Sequence, residues 1–245
     1  MDKHQSAAML IIGNEILSGR TRDANGWLTA QKLFDCGCRL AEIAIVPDIQ
    51  HTIVESLNRL RNGYDAVITS GGIGPTHDDI TMSAVADAFG VKLIEHRYIM
   101  QAMNEYYGKD GMNEGRRRMS RVPEGARLIR CEKTIAPGAH IGNVYMLAGV
   151  PDIFTSQLDA ILPDFGGTPW QRREIEVALP ESSFANMLSR IQAEFPEVEI
   201  GSYPSQCGQR PQGKICLSSQ NPAQINEVEN RVRMMLETLA TASHA

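Results

Sequence analysis

Runs of consecutive apolar residues alternate along the chain with stretches whose apolar positions recur at helical spacing. Residues 7–12, Ala-Ala-Met-Leu-Ile-Ile, form a continuous apolar run of the kind that a strand buried on both faces of a parallel sheet requires. Trp27, Ala30, Leu33 and Phe34 follow at helical spacing, and residues 40–46 read as a second strand. Ile49, Ile53, Leu57 and Leu60 mark the apolar face of a helix with Asp48 as its expected N-cap and Asn62-Gly63 as its stop. Residues 66–69 are a third buried strand, and Met82, Val85, Ala86 and Phe89 outline a helix closed by Gly90. Residues 95–120 read as helical, 128–129 and 143–147 as strands, and Pro151 opens a helix that reaches about residue 162. Alternation of this kind predicts an α/β fold with a mostly parallel sheet and helices on both faces.

The pattern changes across residues 163–169, which include Gly166-Gly167-Thr168-Pro169. A boundary there divides the chain into a large α/β domain over 1–165 and a small α+β unit over 166–245. In the second part Ile175, Val177 and Leu179 alternate as in a half-buried strand, and Phe184, Met187, Leu188 and Ile191 recur at helical spacing. Residues 198–200 and 215–217 read as strands, and Ile225, Val228, Val232, Met235 and Leu239 line one face of a last helix. The expected order is βαββα.

One segment breaks the pattern in a way that points to chemistry. The third strand runs directly into Gly71-Gly72-Ile73-Gly74-Pro75-Thr76-His77-Asp78-Asp79-Ile80-Thr81. Glycine admits positive φ and lets a ligand approach the backbone, and N–H groups at a loop–helix junction suit an anion. The loop also follows the carboxyl end of a parallel strand, where open α/β sheets bind ligands. Two adjacent carboxylates would repel a phosphate unless a hard divalent cation such as Mg²⁺ bridged them to it; alternatively Asp78, Asp79 or Thr81 caps the following helix. The segment matches neither a Walker loop nor a dinucleotide-binding fingerprint.

Composition narrows the partners. The net charge is −5, which argues against general binding of nucleic acid or an anionic membrane and requires any phosphate site to rest on local geometry. The five cysteines, an odd number in a chain of 245 residues, imply no disulfide framework, and reduced structural thiols in a cytoplasmic protein are expected. The N-terminal apolar run is too short for a signal peptide or membrane span.

Further segments around the loop resemble a known family. Gly13-Asn14-Glu15-Ile16-Leu17-Ser18-Gly19, Asn25, Val46-Pro47-Asp48, the Gly71–Thr81 loop, Val122-Pro123-Glu124-Gly125-Ala126, Ala136-Pro137-Gly138 and Gly149-Val150-Pro151 appear in the order of the molybdopterin-binding domain family of the MoaB/Mog type. The closer resemblance is to the N-terminal domain of CinA-like competence/damage-inducible proteins and the related domain of FAD synthases. Ile200-Gly201-Ser202-Tyr203-Pro204 is similar to the small second domain of the FAD-synthase-like members. The resemblance implies a three-layer α/β/α domain that binds a pterin or a nucleotide pyrophosphate as a homo-oligomer, dimer or trimer. In the Mog branch the residue matching Asp79 supports adenylylation of molybdopterin. In the CinA-like and FAD-synthase-like branch the domain is associated with metal-dependent hydrolysis of a nucleotide pyrophosphate such as ADP-ribose or FAD. Asn14 stands where many relatives carry Asp. No counterpart of the deamidase domain of full-length CinA proteins or of an adenylyltransferase domain is expected.

The expected catalytic and metal-holding pair is Asp78 and Asp79. The expected ligand contacts are Gly71, Gly72, Gly74, Pro75, Thr76 and Thr81 in the loop, with Glu15, Asn25, Gly138 and Gly149 around it. Glu15 is either a metal or ligand contact or a loop carboxylate bonded to backbone, and Asn25 either meets the ligand or caps the first helix. Arg117 and Arg118, in the densest positive cluster, carry an expected fork onto a phosphate. The small unit has no G-x-x-G between two helices, which sets RNA binding aside. A non-catalytic ligand-binding module remains the reading from another class.

Overall fold

A computed structural model describes residues 3–207 and 210–242, and two compact units divide it between Gly167 and Thr168. The first unit begins with β1 (Ser6–Ile12), a single helical turn α1 (Asn14–Leu17), α2 (Asn25–Asp35), β2 (Arg39–Val46), α3 (Gln50–Gly63) and β3 (Ala66–Ser70). After the Gly-rich loop come α4 (Thr81–Phe89), β4 (Leu93–Glu95), α5 (Arg97–Tyr107), α6 (Glu114–Arg118) and β5 (Arg121–Pro123). β6 (Arg127–Ile129), β7 (Gly138–Ile141), β8 (Val144–Leu147) and α7 (Pro151–Ile161) complete it.

Six strands form one sheet in the order β2-β1-β3-β8-β7-β6. The first four are parallel, and β7 and β6 turn back as an antiparallel margin. The continuous apolar run of β1 is explained by the two faces it serves. Ala8, Leu10 and Ile12 pack with Ile53, Leu57, Val85 and Ile99 on one side. Ala7, Met9 and Ile11 pack with Leu33, Phe154 and Leu158 on the other. Alternate residues of a strand point to opposite faces, so each face carries its own helix layer. The three-layer α/β/α arrangement follows.

Two local expectations change in the structure. The helical stretch expected over 95–120 is two helices, because Gly108 leaves α5 at φ 73° and ψ 163°, a positive-φ extended conformation open to glycine that ends the helix. Asp48 does not cap α3. Its N-cap residue is Ile49, and the Asp48 carboxylate instead accepts the N–H of Asn14 at 2.8 Å, tying the end of β2 to the start of α1.

The second unit contains β9 (Gln171–Val177), α8 (Glu181–Glu194), β10 (Glu199–Cys207), β11 (Arg210–Ser219) and α9 (Pro222–Ala242), the order βαββα. Its strands form an antiparallel sheet, β10-β11-β9. Ile175, Val177, Phe184, Leu188, Ile215, Leu217, Ile225 and Val232 build a separate core. Cys36, Cys38, Cys131 and Cys216 are free thiols, and the Cys207 side chain lies outside the described ones. Among the described residues no helix is long and apolar enough to cross a membrane.

Candidate functional site

The carboxyl ends of β1, β3 and β8 meet at the Gly-rich loop. Gly71 and Gly72 turn the chain out of β3 with φ of 97° and 68°, a region that costs little only for glycine. Space makes the same demand, since a Cβ on Gly71 would overlap the Ile12 carbonyl oxygen and one on Gly72 the Thr81 hydroxyl. The Thr81 hydroxyl donates to Gly71 O at 2.8 Å, and the Thr81 N–H donates to Gly72 O at 2.9 Å. Thr81 is fully buried, so it holds the loop from behind and does not face a ligand.

Asp79 closes the loop from its far side. Its Oδ2 accepts the Thr76 N–H at 2.7 Å and the Thr76 hydroxyl at 2.5 Å. A Cβ on Gly74 would lie 2.7 Å from that same oxygen, so the carboxylate can fold inward only over a glycine. The N-cap residue of α4 is Ile80, with no side-chain bond to the helix, so neither Asp78 nor Asp79 acts as a cap. The Thr76 N–H is therefore committed to Asp79. The N–H groups of Gly72, Ile73 and Gly74 find no acceptor among the described residues. Oδ1 of Asp79 likewise has no hydrogen-bond donor there.

Beside the loop is a cavity of about 210 Å³, lined by Gly72, Ile73, Gly74, His77, Asp79 and Arg118 with apolar walls from Met82, Leu93 and Met119. Arg118 donates to Thr76 O and so braces the loop from α6 while bordering the cavity. Arg117 faces away, 3.9 Å from Glu95, and does not line it. Pro75 is exposed at the tip, packed where a Cβ on Gly115 would be 2.9 Å from its carbonyl oxygen.

The remaining expected residues have mixed placements. Asn25 is buried, and its Nδ2 donates to Ser70 Oγ at 2.8 Å and to Gly149 O at 2.9 Å, stitching the start of α2 to the ends of β3 and β8. Asp23, not Asn25, accepts the first N–H groups of α2, from Asn25 and Gly26. Gly149 passes within van der Waals reach of Gly71, where an added Cβ would be 3.2 Å from its Cα. Gly138 lies in β7 beneath Gln157 of α7, next to the Ala139–Met146 pair at the same end of the sheet as Ser70. The exposed Glu15 carboxylate folds back over Gly13.

Acidic groups dominate the outer side of the loop. Hydrogen bonding by Thr76 and by the Asp78 backbone holds the exposed Asp78 carboxyl below its ordinary range, with smaller contributions from His77 and Arg118. Burial pushes Asp48 upward, and the charges of Glu15 and Asp78 push it further. Among the described residues no three His, Cys, Asp or Glu side chains converge as a metal cage. The donor chemistry still suits Mg²⁺, which keeps several waters and needs only one or two carboxylates when substrate phosphates supply further oxygens.

Ser70, Asp23 and the apolar walls of the cavity were not singled out by sequence reasoning, and Thr76, expected as a ligand contact, instead gives its N–H and hydroxyl to Asp79. The three-residue spacing of Thr76 and Asp79 was the available signal, since Asp carboxylates often accept from nearby backbone in tight turns.

Residues 8–166 match the family described as "Probable molybdopterin binding domain", and residues 169–244 match "FAD synthase, middle domain". A protein of Archaeoglobus fulgidus is 32% identical over 197 residues, covering 80% of this chain and 84% of that one. A "Probable FAD synthase" of Caenorhabditis elegans is 29% identical over 96% of this chain, which spans only 51% of that relative. The crystal structure of CinA from Thermoplasma acidophilum, a protein of unknown function, superposes with a TM-score of 0.62 at 29% identity, covering 65% of this chain and 97% of CinA. The chain belongs to the molybdopterin-binding domain family.

Proposed function

We propose that the chain hydrolyses a nucleotide pyrophosphate of the ADP-ribose or FAD class with a divalent metal ion. The observation that carries this reading is the set of three unpaired N–H groups, Gly72 to Gly74, beside the Asp79 carboxylate at the carboxyl end of β3. Those N–H groups would hold the non-bridging oxygens of one phosphate and meet the charge that develops on them. Asp79 keeps Oδ1 free to orient an attacking water. Attack forms a new P–O bond, breaks the P–O–P bridge, and leaves two monophosphates, with the water proton passing to solvent. Asp78 and Asp79 would hold the metal, which when bound neutralises charge on the phosphates. Arg118, at the rim of the cavity, is placed to pair with a phosphate oxygen. The match of residues 169–244 to an FAD synthase domain supports a flavin or adenine nucleotide as the substrate.

A second reading is binding or adenylylation of molybdopterin, favoured by the family's description over residues 8–166. A non-catalytic binding module is the third. We expect a cytoplasmic homo-oligomer, dimer or trimer, without nucleic-acid or membrane partners. Purified protein incubated with ADP-ribose, FAD or NAD and divalent metals should release a nucleoside monophosphate from one of them, and a chelator should stop the release. Absence of turnover across the panel overturns hydrolysis. Pterin fluorescence co-purifying with the protein would then support the second reading, and its absence the third.

A further inference from the structure

The end of the sheet opposite the Gly-rich loop holds a second polar cavity. The parallel strands reach the loop at Ile12 and Ser70, whereas His4 precedes β1 and bridges to Phe165 at their amino ends. There Tyr145 and His140 stack with ring centroids 4.1 Å apart and planes at 16°. Tyr145 Oη donates to Asp164 Oδ2 at 3.1 Å, so His4 Nε2, 3.1 Å from the same phenol, is its donor.

The protonation of His140 follows from its neighbour. Arg127 Nη2 lies 2.9 Å from His140 Nδ1. A guanidinium only donates, so Nδ1 accepts and the imidazole proton sits on Nε2. That Nε2–H is buried and meets no acceptor in hydrogen-bond geometry among the described residues, in a residue only 8% exposed, with the Gly142 backbone a weak partner of the ring. Burial and the Arg127 charge both lower the pKa of the ring, which keeps it neutral with this one donor. Buried donors without acceptors are rare and costly.

Arg127, Arg130, His140, Tyr145 and Asp164 line a cavity of about 230 Å³ around these rings. Arg127 gives one of its five donors to His140, and Arg130 lies over the Tyr98 ring at 4.1 Å. Neither guanidinium has an ion pair among the described residues. The one carboxylate on the wall, Asp164, accepts from Tyr145. Two guanidiniums against one carboxylate, with an imidazole N–H lacking an acceptor, make a donor-rich pocket.

We propose that this cavity is a second ligand site of the chain, one that takes a small oxyanion, a phosphate or carboxylate group, independently of the Gly-rich loop. The probe is inorganic phosphate, with acetate as the carboxylate arm, titrated into protein carrying ¹⁵N-labelled histidine. The Gly74→Val background removes the loop's contribution, so the result does not depend on the proposed hydrolysis. The Nε2 signal of His140 should move saturably with one or both anions. Arg127→Gln should weaken that response by at least about tenfold, the loss of one charge-assisted hydrogen bond. Arg130→Gln, on the exposed rim, gives a second variant should Arg127→Gln fail to fold. A signal that stays fixed, drifts without saturating, or saturates equally in a folded Arg127→Gln or Arg130→Gln variant would overturn the site and leave water as the acceptor.

Discussion

At the scale of single residues, Asp79 serves as both a structural and a chemical group. One carboxylate oxygen fastens the Thr76 backbone and hydroxyl, and the other has no donor among the described residues. Asn at this position keeps an oxygen for the Thr76 bonds but carries no charge. Asp79→Asn should therefore leave the fold intact and lower metal-dependent pyrophosphate cleavage by about two to three orders of magnitude. Turnover at the wild-type rate in this variant would remove Asp79 from the mechanism. Asp48 yields a prediction of a different kind. Its folded pKa is raised, first by burial and then by Glu15 and Asp78, so the folded state binds its proton more tightly than the unfolded chain does. That contribution to stability is fully present below the unfolded value of about 3.9 and is lost as pH rises through the folded pKa. Asp48→Asn retains an acceptor for the Asn14 N–H without the charge. The variant should be more stable than wild type at neutral pH, with the advantage shrinking as pH falls toward about 4. Denaturant midpoints at the two pH values test this, and an advantage that grows on acidification would contradict it.

At the scale of elements, the loop is a strand–helix connection turned by two glycines and held by three residues. Gly71 and Gly72 turn it, Thr81 clamps it from α4, Asp79 folds it, and Arg118 braces it from α6. This arrangement leaves the N–H groups of residues 72–74 without an acceptor among the described residues. A branched side chain at Gly74 would drive into the Asp79 carboxylate, which an added Cβ alone would approach to 2.7 Å. Gly74→Val should thus weaken phosphate-ligand binding at the loop by about tenfold or more, the equivalent of one lost charge-assisted hydrogen bond. Unchanged affinity by calorimetry would place the anion site elsewhere. The glycine triplet was legible in the sequence because no other residue type tolerates that density of turns after a buried strand. The inward fold of Asp79 was not, because both a metal ligand and a helix cap are compatible with an Asp at that position.

At the scale of the whole molecule, two cores are built from separate stretches of chain. Phe184 is buried among Ile175, Val177, Leu188 and Ile225 in the second unit, whereas the loop belongs to the first. Phe184→Ala should destabilise the second unit by about 3–5 kcal/mol while phosphate binding at the loop persists. Hydrogen exchange read together with phosphate affinity tests this, and loss of loop binding at the same denaturant concentration as the second unit's protection would show one cooperative unit.

Periodicity along the chain determined much of this protein. Continuous apolar runs at 7–12 and 66–69 determined the buried parallel strands, since only strands covered on both faces need apolar residues at every position. Helical spacing determined the layers on either side, and the break at 163–169 marked the change to a second pattern. Of the short elements β6 and β8 were legible as apolar runs, whereas β4, β5 and β7 were not, because three or four residues carry too few positions to show a period. Tertiary structure decided which polar residues meet. Asn25 reaches Ser70 and Gly149 across separations of 45 and 124 residues. The Arg127–His140 pair joins the His4–Tyr145–Asp164 chain of contacts only once β7 and β8 pair. Such meetings depend on strand order and register, which local pattern does not encode.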